Sequence, residues 1–321
     1  MLQSPFFSHL KQSRCSFSSL LVFFLFAIGC LCASCRPEPE VKAKEVEVSI
    51  AFEDFEVTYQ EDSSNKSNPQ RVSDKDATQA EIDRISLAIF NTAGQLAFSD
   101  FLDIENNPEI SLLISCMLLP GNYTFVAVAH QTALSTDAAA VISSPTQATI
   151  TTSKCLRVYT YSQPVTILAD QPNSVVIDFG KRVSSTVQLY STDVTPEEVS
   201  SCEMIINSSN SASSAFIFNP TTGFASSAYQ YKAVHQISKY HGTFQNTQLN
   251  VHFLLTQNPE LVDLTVNMKD ASGAIVRTRT FSDIEVAPHR STRLTGSFFH
   301  SSVESSFIFD TVEDPRVEIS F

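Results

Sequence analysis

The chain has 321 residues and a net charge of −13, with 24 Phe but only 8 Gly and no Trp. So acidic a surface repels phosphate backbones and anionic head groups, which speaks against nucleic acid as a partner. Scarce Gly speaks against phosphate-cradling loops, and the missing Trp removes the indole faces on which sugars often stack.

The first element in chain order is an export signal. An apolar run over residues 17–31 follows Lys11 and Arg14, and the small residues Ala33 and Ser34 precede Cys35. The chain then turns polar through Arg36, Pro37, Glu38, Pro39 and Glu40. A positive start, a short apolar centre and small residues at the junction are what a secretory peptidase requires. A Cys directly after the cut predicts a lipoprotein, because two or more acyl chains hold a protein stably on a membrane at about 0.8 kcal/mol per buried methylene. Cys35 is favoured because apolar character persists to Leu31, and Cys30, which follows Ala27-Ile28-Gly29, is the alternative. Removing residues 1–34 takes away two positive charges and no negative ones, so the net charge moves from −13 to −15. No later apolar stretch is long enough to span a bilayer, which leaves the lipid as the predicted membrane attachment. The mature length fits two domains better than one.

Short strands dominate the mature chain. Val46, Val48, Ile50 and Phe52 alternate with polar or small residues, and Phe55, Val57 and Tyr59 alternate in the opposite parity, so a bulge or break is expected at Glu53-Asp54. Residues 61–79 read as a polar loop. Ile85, Leu87 and Ile89 form a strand that turns at Asn91-Thr92-Ala93-Gly94 and returns through residues 96–98, a hairpin. Residues 110–119 and 123–129 form a further pair joined by Pro120-Gly121-Asn122. The second of them is apolar on both faces and therefore central. Residues 131–160, rich in Ala, Ser and Thr, do not separate a short helix from loop. Residues 165–168 and 175–179 close a first domain, 35–181. Gly180-Lys181-Arg182 reads as a hinge into a second domain, 182–321. There Thr195-Pro196-Glu197-Glu198 has the pattern of a capping box and predicts one helical turn. Strands are expected at residues 183–190, 204–206, 216–218, 249–255, 264–268, 275–281, 294–299 and 307–309, with a turn at Asp270-Ala271-Ser272-Gly273 and a terminal strand at Val317, Ile319 and Phe321. Many short strands without a repeating strand-helix unit predict an all-β chain of antiparallel sandwiches.

Catalytic chemistry is missing from the sequence, which carries no phosphate loop, dinucleotide fingerprint or Gly-x-Ser-x-Gly elbow. No catalytic residue, no metal ligand and no cofactor is predicted. His252 reads as the outward residue of a strand, and His235, Tyr240 and His241 as members of a polar connection. Arg277 and Arg279 project from one face of a strand, where pairing with carboxylates is expected. Cys116, Cys155 and Cys202 allow one disulfide or three buried thiols.

Several segments together resemble the fimbrillin superfamily of Bacteroidales-type fimbriae, and within it the lipoprotein anchor subunits. They are the Cys-ended signal, Ile82-Asp83-Arg84-Ile85-Ser86-Leu87-Ala88-Ile89-Phe90 with its Ala93-Gly94 turn, and Leu119-Pro120-Gly121-Asn122-Tyr123-Thr124-Phe125-Val126-Ala127. Arg279-Thr280-Phe281-Ser282-Asp283 and Arg290-Ser291-Thr292-Arg293-Leu294-Thr295-Gly296 complete the set. The resemblance implies two tandem transthyretin-like β-sandwich domains and a non-enzymatic anchoring subunit. That subunit would be held on the cell outer membrane by its lipid at the base of a fimbrium, whose length it limits. It implies stalk subunits as partners, joined by β-strand exchange or edge pairing. Stalk subunits of such families are cut after an Arg in the first sandwich, a position that Arg71 could imitate. A stalk or tip adhesin is therefore the alternative within the family, and a surface lipoprotein that binds or hydrolyses glycans is the alternative outside it.

Overall fold

The computed structural model describes residues 44–53, 82–106, 111–179, 182–242, 247–288, 290–299 and 308–313. Cys30, Cys35, Arg71 and the expected strands at residues 55–59 and 317–321 lie outside them. The described residues are all-β. The strands are β1 (Val46–Glu53), β2 (Arg84–Asn91), β3 (Leu96–Asp103), β4 (Leu113–Leu118), β5 (Gly121–His130), β6 (Val141–Ser144), β7 (Gln147–Thr151), β8 (Val158–Ile167) and β9 (Asn173–Asp178). They continue as β10 (Ser185–Ser191), β11 (Ser201–Ile206), β12 (Ala215–Phe218), β13 (Tyr231–Gln236), β14 (Thr247–Phe253), β15 (Glu260–Lys269), β16 (Ile275–Val286), β17 (Arg290–Gly296) and β18 (Ile308–Glu313).

Seven of the first nine strands build two facing sheets, β4-β1-β9 and β3-β2-β5-β8. Period-2 alternation explains the face that each strand buries. Val48, Ile50 and Phe52 of β1 meet Ile85, Leu87 and Ile89 of β2 and Phe125, Ala127 and Ala129 of β5 in one core. Phe52 stacks on Phe179 with ring centroids 6.1 Å apart. The expected hairpin at Asn91-Thr92-Ala93-Gly94 is present. The Asn91 side-chain oxygen accepts from the Ala93 and Gln95 amides at 2.9 and 3.0 Å, and Gly94 takes the positive φ that the turn requires.

Two expectations about strand pairing do not hold. Residues 113–118 and 121–130 are not partners, since β4 pairs with β1 and β5 lies between β2 and β8. The Pro120-Gly121 corner carries the chain from one sheet to the other, so that the outward Leu113, Ser115 and Met117 give way to a strand buried on both faces. Nor are the sheets purely antiparallel, because β1 runs parallel to β9 and β10 parallel to β17.

The later strands repeat this plan. Their sheets are β14-β10-β17-β18 and β13-β11-β15-β16, with β10 between an antiparallel and a parallel neighbour as β1 is. Set side by side, β1, β2, β3, β4, β5, β8 and β9 match β10, β11, β13, β14, β15, β16 and β17 in both order and pairing sense. Three elements are additional: the β6–β7 hairpin, β12, and β18 on the edge of β17. The stretch 131–160, unreadable as helix or loop, holds β6, β7 and the start of β8, with irregular chain between them. The capping-box segment is a turn and not a helix. Thr195 is held in a bridge to His241, and the turn closes through the Val199 amide donating to Pro196 O at 3.2 Å.

β6, β7 and β12 form a small third sheet of their own, with Phe216 opposite Ile150. This sheet joins the two repeats. Ile142 packs against Ala88, Phe90 and Val126 on the outer face of β2 and β5. Its cross-strand partner Ala148, with Ile150, enters the core formed by Val187, Leu189, Met204, Phe216, Tyr231 and Val266, against which Ile142 also packs. Val183 and Ser184 donate their amides to Val158 O, and the Val158 amide donates to Ser184 Oγ at 3.1 Å. Gly223 closes the joint, since a Cβ there would lie 2.6 Å from Val183 Cγ1 and its φ is +78°.

Candidate functional site

The sheet edges are the first candidate surface. An edge strand offers a row of unpaired N–H and C=O groups to any strand that can reach it. In the second repeat the β17 edge is covered by β18, with Leu294 opposite Phe309. In the first, among the described residues, no strand pairs with the outer edge of β9. The outer face next to it carries Leu113 and Val176, both about half exposed, on either side of Ala51 in register. Met117 lies further along β4 and is likewise exposed. Another long edge is β16, where Ile275 and Val276 are exposed. Arg277 and Arg279 lie on one face of it, as expected, opposite Met268 and Val266 of β15.

The carboxylates of the first repeat gather around Arg84, whose side chain is only 3% exposed. Its guanidinium meets Asp103 at 2.7 Å and Glu105 at 3.2 Å, and donates to Asp83 O and Ser135 O. Asp83 Oδ2 accepts from the Thr132 amide and hydroxyl, while Asp137 Oδ2 accepts from Ala133, Leu134 and the Thr152 hydroxyl. These acids fold residues 131–137 back onto β2 and do not converge on an open cleft. In the second repeat Glu203 of β11 is gripped by Lys232 and by Lys269 at 2.9 Å. Burial alone would raise the Glu203 carboxyl, but hydrogen bonds from Lys232, Lys269 and Asn267 outweigh it and bring it down to about 2.

The histidines differ from the sequence reading. His252 does point away from the core of its sheet, as expected, yet it is only 8% exposed, with Nδ1 2.8 Å from Thr186 Oγ1. Alternation showed the face but could not show that the 182–186 segment would cover it. His235 lies on a strand, β13, which the polar composition had hidden, and its Nε2 sits 2.7 Å from Asn250 O. His241 Nε2 is 2.7 Å from Val199 O. Sequence reasoning also passed over His130, which is fully buried with its pKa lowered to about 4, chiefly by burial. Cys116, Cys155 and Cys202 are three buried free thiols, pushed up to about 11, 12 and 12 by burial. Among the described residues no group of three His, Cys, Asp or Glu could hold a metal ion, and no helix is long and apolar enough to cross a membrane.

No family model matches the chain, and no curated protein sequence matches it. Several solved structures are similar to it. A candidate polysaccharide-binding protein from Bacteroides thetaiotaomicron is 12% identical with a TM-score of 0.49, covering 84% of this chain and 98% of that one. The fimbrial anchor protein Mfa2 from Porphyromonas gingivalis is 12% identical with a TM-score of 0.46, again over 84% and 98%. A fimbrial assembly protein from Parabacteroides distasonis is 11% identical with a TM-score of 0.42, over 85% and 97%.

Proposed function

We propose that the chain is a fimbrial subunit of the anchor type, non-enzymatic and exported by the signal in residues 1–34. It is acylated at Cys35, with Cys30 the alternative, and held on the outer membrane at the base of a fimbrium whose length it limits. Its two domains are 35–181 and 182–321, and stalk subunits are its partners through strand exchange or edge pairing. The observation that carries this reading is the Cys-ended signal placed ahead of the fimbrillin-like segments. Three of these segments coincide with central strands, 82–90 with β2, 119–127 with the start of β5 and 290–296 with β17, and the fourth, 279–283, lies on the edge strand β16.

The place of β1 supports the anchor over the stalk. β1 lies between β4 and β9, pairing with both. A cut after Arg71 would remove it and separate its neighbours, exposing two rows of backbone groups and the pockets of Val48, Ile50 and Phe52. An anchor that keeps its lipid keeps this strand. Metabolic labelling with a fatty-acid analogue should mark the wild type and fail in Cys35→Ala. Label that survives there and disappears in Cys30→Ala moves the site. Deleting the gene should give long fimbriae shed into the medium. Loss of fimbriae altogether, or protein in purified fibres that begins after Arg71, replaces the anchor with the stalk or tip reading.

A further inference from the structure

In a chain with 13 more negative than positive charges, one place gathers cations. His252 on β14 lies opposite Thr186 on β10, and its ring stands on the side of the sheet away from the core. Residues 157–158 of the first repeat come onto this spot, because the Val158 amide and carbonyl are tied to Ser184 and Val183, two and three residues before Thr186. Arg182 bridges Tyr159 in the same ladder, and its Nε donates to Ser184 O. His235 reaches in from β13 to Asn250, two residues before His252 on the same face of β14. Burial first, and then the positive charges of Arg182, Arg157, Lys154 and His235, hold the His252 ring well below its ordinary pKa.

Arg157 and Arg182 have further contacts of their own. Two groups do not. Among the described residues the half-buried Lys154 ammonium has no hydrogen-bond or ion-pair partner, and neither has Nε2 of the 92% buried His252, whose only hydrogen bond is at Nδ1. Both groups keep contact with solvent, so they are free to donate to an anion that the surrounding positive potential draws in.

We propose that this junction binds a small tetrahedral oxyanion, phosphate or sulfate. The Thr186 hydroxyl donates to Nδ1 of the neutral His252, which leaves the ring proton on Nε2 as a donor. The Lys154 ammonium supplies three more, and the neighbouring guanidinium groups add positive potential. Four acceptor oxygens at tetrahedral angles suit donors that arrive from separate strands, as a planar carboxylate does not. Because its donors come from both repeats, the bound ion also adds a charge-assisted link across the joint.

The test is calorimetric titration of the purified protein with inorganic phosphate and, separately, sulfate at fixed ionic strength in chloride, together with His ring NMR. Phosphate should bind with one-to-one stoichiometry and shift the His252 ring signals, raising its depressed pKa, whereas chloride should not. Lys154→Gln, half-buried and outside the cores, should weaken binding by about tenfold, and His252→Gln by a similar factor if it folds. Binding of phosphate alone identifies phosphate as the occupant, and binding of both identifies the shape and charge. Absence of heat with either ion, or affinity unchanged in Lys154→Gln, overturns the proposal.

Discussion

The two repeats share a strand plan but treat the outer face of their central strand in opposite ways. β2 turns Arg84, Ser86, Ala88 and Phe90 outward, and all four are buried beneath the β6–β7 hairpin and the 131–137 segment. β11 turns Ser201, Glu203 and Ile205 outward without an inserted hairpin over them; Ser201 and Glu203 are buried all the same, and Glu203 is satisfied by lysines, of which Lys232 is half exposed. The difference follows from the insertions: a strand face that gains a covering layer can be apolar, and one that does not must stay polar or pair its charges. The insertions also meet each other through β7 and β12, so the elements that break the repeat are those that join its copies.

The sharpest way to break this arrangement is to place a charge in the shared sheet. Ile150 is 3% exposed and faces Phe216 across the strand pair. Ile150→Asp should lower stability by about 3–5 kcal/mol, since its carboxylate would enter an apolar core. Calorimetry should show one transition in the wild type and two in the variant, while Val141→Asp on the exposed side of the same hairpin should leave a single transition. Two transitions already present in the wild type would show that the joint does not couple the repeats.

Next in size is the Arg84 cluster. Arg84→Met should cost about 3 kcal/mol, because it leaves Asp103 and Glu105 facing each other with no cation and releases Ser135 O. Denaturant titration measures the loss, and protease sensitivity at residues 131–137 should rise with it. Resistance there equal to the wild type would show that the aspartate hydrogen bonds alone hold the segment.

The Glu203 site provides the counterpart and a pH dependence of known sign. Its folded pKa of about 2 lies below the unfolded value of 4.5, so its stabilisation is present above pH 4.5 and is lost as the pH falls from 4.5 through 2. Glu203→Gln should therefore be less stable than the wild type by about 1–2 kcal/mol at pH 7, with allowance for water around Lys232. Urea titrations at pH 7, 4 and 2 should show the two proteins converging. A constant gap across that range would assign the loss to packing.

Much of this comparison was legible in the residues. Alternation gave β1, β2, β5 and β15, and the side chains of Asn91 and Asp270 marked their hairpins, Asp270 Oδ1 accepting from Ser272 and Ala274 at 2.9 and 3.0 Å. What stayed hidden has a common cause, in that it depends on contacts distant in sequence. Nothing local in residues 141–151 reveals that they will pair with 215–218, and nothing in the alternation of β14 reveals that His252 will be buried beside Thr186 of β10. The partner strands of β4 could not be read for the same reason, since a Pro-Gly corner looks alike whether the chain returns beside itself or crosses to the facing sheet. The duplication escaped notice because strand order repeats while the residues do not.

The smallest effect on stability belongs to the edge that distinguishes the repeats most plainly, β9, whose outer edge is unpaired among the described residues, against β17 with β18. Val176 is exposed on β9, so Val176→Lys should change the unfolding free energy by no more than about 0.5 kcal/mol, as surface substitutions usually do. Its effect on assembly should be larger, because a lysine on an open edge is charged and hydrated and discourages an incoming strand. Under the fimbrial reading, Val176→Lys protein should stay folded and acylated at the cell surface yet carry fewer attached fimbriae, as counted by electron microscopy and by co-purification of stalk subunits. An equivalent lysine at Val141, exposed on the inserted hairpin, should leave attachment unchanged. If both variants attach fimbriae like the wild type, the β9 edge is not where the subunit meets its partner, and the exposed edge of β16 with Ile275 and Val276 becomes the surface to alter in the same way.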